Sequence, residues 1–485
     1  MLSTWGLRAV VLAIYLGSSY LVNVEVKEPY LDEIFHIPQA QKYCSGNFRE
    51  WDASITTPPG LYIVSATISW LTRTSCTVGK LRSLNVLLGC VFYPWVCKRI
   101  MTGLACEHLF WKGHPERRAS RAINLRTLIP EAIVASTFPL VFFFSLLYYT
   151  DVASLCSVLL CYSLGRDKKY LASAVAGFAS LWFRQTNVVW VGFTAVTSAL
   201  DVLEERIRLD RKQPRKPSYI SESSICGLQL TPLTIVVRTY LAAAFQEWKV
   251  VARILGTYLP VLLAFVAFVV WNGGIVLGHQ EMHVASLHYA QVPFFLAFST
   301  LLGWPVLFNE GIWRPLNKAI RLVAGTKTRT LCSAILLGLM VMGIRYGTVV
   351  HPFLLADNRH YFFYIWRRIF GLHWSVRYAL TPGYLVCLWI WIAKLGERRS
   401  LPWLVAFFAC TAAVLVPTPL VEPRYFMVPY TIMSLHSARL DNKEGARLPW
   451  TQLCFNMAVN AVTLFVFLTV KFKWDGWEGW MRFMW

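Results

Sequence analysis

The chain has 485 residues, of which 56% are hydrophobic and 15% charged, with a formal net charge of +21. Water-soluble globular chains carry roughly 45–50% apolar and about 25% charged residues, so this composition excludes an ordinary soluble domain and indicates a polytopic membrane protein. The basic excess is what cytoplasmic loops of such a protein collect. No basic stripe interleaved with aromatics sits in a soluble domain, which argues against nucleic acid as a partner.

The first apolar span covers residues 7–26, after Arg8, and reads as a signal anchor with a cytosolic N-terminus. Residues 27–80 then form a large loop on the far side. Within it, 60–71 is apolar but shorter than the roughly 20 residues that a crossing needs, so it is expected to lie in the interface as an amphipathic helix. The next span, 83–97, runs into Lys98-Arg99 and a loop with Lys112, Arg117, Arg118, Arg121 and Arg126, which belongs in the cytosol. Alternation then places spans near 127–149, 152–165, 171–183, 188–203, 251–274, 291–309, 331–350, 377–395, 402–418, 425–437 and 451–470. The loops assigned to the cytosol (165–169, 204–250, 310–330, 394–399 and 437–449) are rich in Lys and Arg, and 204–250, centred on Arg206–Tyr219, reads as a mobile, solvated linker. With this count the tail Trp474–Trp485 falls on the side of the first loop. No internal repeat is visible.

The opposite face collects acids, histidines and amides. Glu28–Gly60 carries the adjacent pair Asp32 and Glu33 with His36 one helical turn on, and Asp32 first, Glu33 second, are candidates for a general base. A helix-capping role is the alternative, since Pro29 precedes them. Thr56–Gly60 reads as a helix entrance stiffened by two prolines. Further along come Asp151; Arg184, Gln185 and Asn187; His279, His283 and His288; Asp357, Arg359 and His360; and Glu422 with Arg424. Ionisable groups at membrane depth are costly and concentrate at functional sites, so six loops on one inferred side are expected to converge on one cavity. Arginine grips phosphate bidentately, which suits Arg184, Arg359 and Arg424 to an anionic partner. A buried Arg184–Asp151 pair and a Glu422–Arg424 pair joining helix ends are the alternatives. His279 and His283 have i, i+4 spacing, yet no carboxylate stands convincingly beside them; no metal ligand is assigned, although a divalent cation remains compatible with the site. Twelve cysteines occur without CxxC pairs; Cys44 and Cys76 share the far face and could pair.

From the residues alone, an enzyme and a secondary transporter both fit; a transporter would place its charges nearer the midplane and often show inverted repeats. A membrane scaffold would need no such acid pair. Several stretches go further. EPYLDEIFHIPQAQKYC, WDASITTPPGLYIVS, FPLVFFFSLLYYTD, FRQTNVVW, WNGGIVLG, HPFLLADNRHYFFYIWRR, LVEPRYFMVPY and the terminal RFMW closely resemble the eukaryotic dolichyl-phosphate-glucose-dependent α-1,2-glucosyltransferase family. At His279–Met282 the chain departs from an Asp-containing form of the family loop, whereas His283 and His288 match. The resemblance implies an all-α polytopic glycosyltransferase of the GT-C type in the endoplasmic reticulum membrane, with about 12–14 helices of membrane-spanning length and a large first lumenal loop. Its donor would be dolichyl-phosphate-glucose and its acceptor a lipid-linked oligosaccharide, with membrane lipid around both. Asp32 would be the base, with Glu33 second; Arg184, Gln185, Asn187, Arg359, His360 and Arg424 would meet the donor, and His36, Asp151, His283, His288, Asp357 and Glu422 would line the cavity. Another dolichyl-phosphate-sugar transferase of the same architecture is the runner-up.

Overall fold

The computed structural model describes residues 4–111, 125–210, 230–278, 280–308, 311–438, 448–475 and 479–485. It is helical almost throughout. Among the described residues the one β-ladder pairs Lys471–Phe472 with Met481–Arg482, antiparallel. Among the described residues six helices are long and apolar enough to cross a membrane: Trp5–Glu25, Val78–Glu107, Trp248–Asn272, Lys327–Tyr346, Val376–Leu395 and Trp450–Thr469. Shorter apolar helices, among them Tyr170–Leu181, Gln291–Leu307 and Leu401–Leu415, accompany them. Leu263, Val266, Val270 and Trp271 of Trp248–Asn272 are exposed. In a chain of this composition, an apolar face left uncovered by protein is one for lipid.

Each expected span meets a helix, but that of 127–149 is broken. Leu125–Ser136 and Pro139–Ser145 are separate helices, followed by non-helical residues 146–149. Pro139 supplies no amide hydrogen and holds Phe138 in an extended conformation (ψ 125°), which ends the first helix. Carbonyls freed in this way need partners at membrane depth. Tyr15 donates to the carbonyl of Ser136 at 2.6 Å and Asn460 to that of Thr137 at 2.8 Å. At the second break, the side-chain amide of Asn85 donates to the carbonyls of Leu147 and Tyr149, both at 2.7 Å. The break thereby turns Tyr148, Tyr149 and Asp151 toward the Glu28–Gly60 stretch.

The reading of 204–250 as a solvated linker is corrected over its described parts. Asn187–Asp210 continues as helix beyond the expected span, and Leu230–Gln246 is a second helix. Leu203, Ile207, Val236, Tyr240 and Ala243 form an apolar seam between them, so hydrophobic spacing outweighs the charge content of this region. Residues 211–229 lie outside the described part. Residues 310–330 likewise hold the helix Trp313–Ala324.

Glu28–Gly60 folds as the helix Glu33–Cys44 and an irregular return into Gly60–Thr72. A disulfide joins Cys44 and Cys76. Gly60 sits where a Cβ would lie 2.4 Å from the carbonyl oxygen of Trp182, to which its own amide donates at 2.7 Å. The carbonyl of Thr56 accepts from Gln185 at 2.9 Å and from the amide of Leu277. The chain's last residues pack on the same region: Arg482 donates to the carbonyls of Phe467 and Leu468 near the end of the last long helix and of Glu25 at the end of the first. Cationic donors suit the unsatisfied carbonyls at helix C-termini.

Asn85→Leu is expected to destabilise the fold by about 1–3 kcal/mol for each carbonyl it strands. The check is thermal unfolding of the purified variant in detergent.

Candidate active site

Leu31 adopts a left-handed backbone (φ 53°) without being glycine. Such conformations persist where surrounding structure over-determines them and gather at functional sites. The turn that follows sends the adjacent acids in different directions. Glu33 is fully buried and its carboxylate meets the Arg82 guanidinium side-on, Nε to Oε1 at 2.9 Å and Nη2 to Oε2 at 2.6 Å. It also accepts from the amides of Tyr30 at 3.1 Å and Tyr148 at 2.6 Å. Arg82, equally buried, uses its remaining hydrogens on the carbonyls of Val26 and Glu28 and on Asn23. Four hydrogen bonds leave the Glu33 carboxylate committed to the framework.

Asp32 faces the other way. Its side chain is 36% exposed, and Oδ2 lies 2.5 Å from Nη1 of Arg424. Burial by itself would raise its pKa, but Arg424 and then His36 outweigh it and hold the carboxyl at about 2. No side-chain capping bond is made by Asp32, so the capping alternative does not describe this residue. Its backbone amide donates to the Tyr149 hydroxyl at 3.2 Å. His36, one turn on, shares a hydrogen of Nδ1 or of the Tyr62 hydroxyl across 2.5 Å. Burial is the main reason its pKa falls to about 4, so it is neutral near pH 7.

Arg424 also donates through Nε to Glu422, and its guanidinium lies 5.8 Å from the Tyr149 ring centroid and 5.7 Å from that of Tyr425. Arg184 stands 5.4 Å from the Tyr425 centroid and pairs with Asp151 at 2.7 Å. Both pairings weighed as alternatives in the sequence are therefore present, and they lie in one cluster around Tyr425. Asp357 and Arg359 form a bidentate pair at 2.8 and 2.7 Å, with His360 Nε2 3.6 Å from Asp357. Asp357 is drawn below the usual carboxylate range: burial opposes this, and the hydrogen bonds from Arg359 and the neighbouring His360 prevail. The carbonyl of Trp485 lies 2.9 Å from His360 Nδ1 and the amide of Met484 donates to the carbonyl of Arg359, so the chain's end walls this side.

Other expected residues bond to the surrounding framework. Asn187 bonds Ser154 and the carbonyl of Ser180, and Gln185 braces Thr56. His288, fully buried, lies 3.1 Å from the carbonyl of Pro419 and stays with the loop beneath Glu422. His279 and the side chain of His283 fall outside the described residues. Among the described residues no group of three His, Cys, Asp or Glu side chains is arranged to hold a metal ion. Arg82 and Asn85 escaped the sequence reading; an arginine and an amide three residues apart at the mouth of an apolar span were the available signal.

The cluster presents its most exposed carboxylate, Asp32, beside half-buried guanidinium groups and aromatic rings. That set can accept a proton from a hydroxyl and stabilise developing charge on a neighbouring oxyanion.

Comparison with known proteins bears on which reaction this is. The family model described as DIE2/ALG10 family matches residues 26–435. Proteins named Dol-P-Glc:Glc(2)Man(9)GlcNAc(2)-PP-Dol alpha-1,2-glucosyltransferase are similar along nearly the whole chain. The one from Arabidopsis thaliana is 34% identical over 96% of this chain and 97% of its own length. Those from Mus musculus and Homo sapiens are 34% and 33% identical, each over 95% of this chain and 94% of their own. No solved structure matches.

Breaking the Glu33–Arg82 pair from one side strands a buried charge, so Arg82→Leu is expected to cost about 3–5 kcal/mol. Denaturation of the purified protein, followed by loss of helical signal, measures it. Glu33→Gln, which keeps the shape and part of the hydrogen bonding, should lose less.

Proposed function

The chain belongs to the DIE2/ALG10 family, and on that premise we propose that it is an inverting α-1,2-glucosyltransferase. Its donor is dolichyl-phosphate β-glucose. Its acceptor is the diglucosylated dolichyl-diphosphate oligosaccharide, whose terminal glucose receives the new sugar on its 2-hydroxyl. This is the final glucose addition to the lipid-linked glycan used for N-glycosylation. The relatives' names speak for a transferase over a transporter.

One observation carries the chemistry: Asp32, the more exposed of two adjacent acids, lies beside Arg424 in a cluster built from distant loops. A β donor and an α product require a single displacement. The acceptor O2 attacks the anomeric carbon from the face opposite the phosphate, its proton passes to Asp32, and the bond from that carbon to the phosphate oxygen breaks with its electron pair. Dolichyl phosphate leaves as an anion, so no acid needs to protonate it. Arg424, with Arg184 or the Arg359–His360 pair, lowers the energy of the departing charge. Glu33 acts as a positioning residue that holds the Asp32 backbone through Arg82 and Tyr148.

The same reading places the protein in the endoplasmic reticulum membrane as a multi-pass chain with this cluster facing the lumen. The Cys44–Cys76 disulfide suits an oxidising compartment on the side of Asp32. The basic loops belong to the other side.

In detergent, with dolichyl-phosphate-glucose and a synthetic lipid-linked acceptor ending in α-1,3-linked glucose, Asp32→Asn should lower kcat by about 10²–10⁴-fold at unchanged protein level. Absence of transfer by folded wild-type protein would refute the assignment. The pH profile gives a second check. With Asp32 held at about 2, kcat/KM should show no acid limb from this group near pH 4. Removing Arg424 as Arg424→Gln lets Asp32 rise, so residual activity should fall on acidification toward the ordinary Asp value of about 3.9.

A further inference from the structure

We propose that Arg424 is exchanged between two anions during turnover: it holds Asp32 while the donor is absent, and the donor's phosphate takes the guanidinium over, releasing Asp32 to act as base. The inference rests on the glucosyltransferase reading and adds an order to it. Donor binding arms the site before the acceptor hydroxyl can be deprotonated.

The geometry behind this is that the cations of the cluster already have carboxylate partners. The guanidinium groups of Arg184, Arg359 and Arg424 are each paired to a carboxylate, Asp151, Asp357, and Asp32 with Glu422. A phosphate that grips Arg424 through both Nη atoms therefore competes with Asp32 for the Nη1 hydrogen bond. The pairs differ in what release would cost, because a carboxylate that loses its partner must be rehydrated or remain stranded. Side-chain exposure is 3% for Asp151, 10% for Glu422 and 18% for Asp357, but 36% for Asp32. Asp32 is thus the partner that water can most readily receive. Arg424 is also built for the exchange. Its Nε contact with Glu422 anchors the head group, while Nη1, now on Asp32, and Nη2 can turn to two phosphate oxygens as a bidentate fork. The rings of Tyr149 and Tyr425 flank the cation on its path.

Free of Arg424, Asp32 becomes a stronger base, since the chief influence depressing its proton affinity has moved to the leaving group. The same displacement prepares both ends of the reaction.

The test separates competition from catalysis by using a ligand that cannot react, a short-chain polyprenyl phosphate. Its affinity for wild type, Asp32→Asn, Asp151→Asn and Glu422→Gln would be measured at constant salt. Exchange predicts that Asp32→Asn, inactive in transfer, binds the lipid phosphate at least 10-fold more tightly than wild type, and more tightly than either of the other two neutralised variants. Equal tightening in all three would mean a general charge effect and overturn the proposal. Tightening confined to Asp151→Asn would assign the phosphate to Arg184 and overturn it too, as would unchanged or weaker binding in Asp32→Asn that unfolds at the wild-type temperature. If Asp32→Asn fails to fold, Asp32→Ser in the same assay takes its place. A second readout is coupling: saturating polyprenyl phosphate should tighten binding of the lipid-linked acceptor several-fold in wild type and not in the Asp32 variant. Failure of wild-type transfer would count against the glucosyltransferase reading, whereas these binding ratios bear on the exchange alone.

Discussion

The ion pair between Glu33 and Arg82, closed off from solvent on both sides, is the contact on which the rest of the site depends. Glu33 takes hydrogen bonds from Arg82, from the Tyr30 amide ahead of it and from the Tyr148 amide at a break in a distant helix. Arg82 in turn closes the carbonyls of Val26 and Glu28. Buried pairs of this kind add little net stability over apolar packing, but they allow only one arrangement of the groups they satisfy. Here the arrangement fixes the chain just after the first long helix, at the residue next to Asp32. Asp32 and Glu33, successive residues at the helix start, point to different sides because a helix turns about 100° per residue.

Helix breaks are the second element of the design. A site for lipid-borne substrates must offer polar groups at the level where the lipid phosphate sits, and a continuous helix offers few. In this chain the Pro139 break, the unwound residues 146–149 and the loops ahead of Asn187 and Met427 interrupt the helices and free backbone groups for such contacts. Each break is tolerated because side chains of other helices meet the freed groups: Tyr15, Asn85, Asn460 and Glu33. Scaffold and site are one hydrogen-bonded system.

The charge balance of the site follows from burial. Guanidinium groups brought this deep need partners, and Asp151, Asp357, Glu422 and Asp32 supply them. The cluster is therefore nearly neutral before any substrate arrives, unlike an exposed basic groove. Binding of an anion becomes a matter of rearranging pairs, and the exposure of each carboxylate sets which one yields. Tyr425 stands between the pairs, with Arg184 and Arg424 both against its ring.

The amino-acid sequence alone determined the membrane class, the positions of nearly all helices and the set of loops that carry polar residues, because hydrophobic runs and misplaced charges are local signals. It also carried the family, since long stretches such as EPYLDEIFHIPQAQKYC are specific in themselves. Local pattern misjudged Leu230–Gln246, where a seam of Val236, Tyr240 and Ala243 against Leu203 and Ile207 overrides a charged neighbourhood. Only the tertiary structure distinguishes the surroundings of Asp32 from those of Glu33. Neighbours in sequence carry the same chemistry, and their difference lies in partners far along the chain, Arg424 for one and Arg82 with Tyr148 for the other. The same holds for Gln185, Asn187 and His288, which look like site residues in a polar loop yet direct their hydrogen bonds into the framework. Which face a polar side chain turns to the cavity is set by packing between helices, and no spacing within one segment records it.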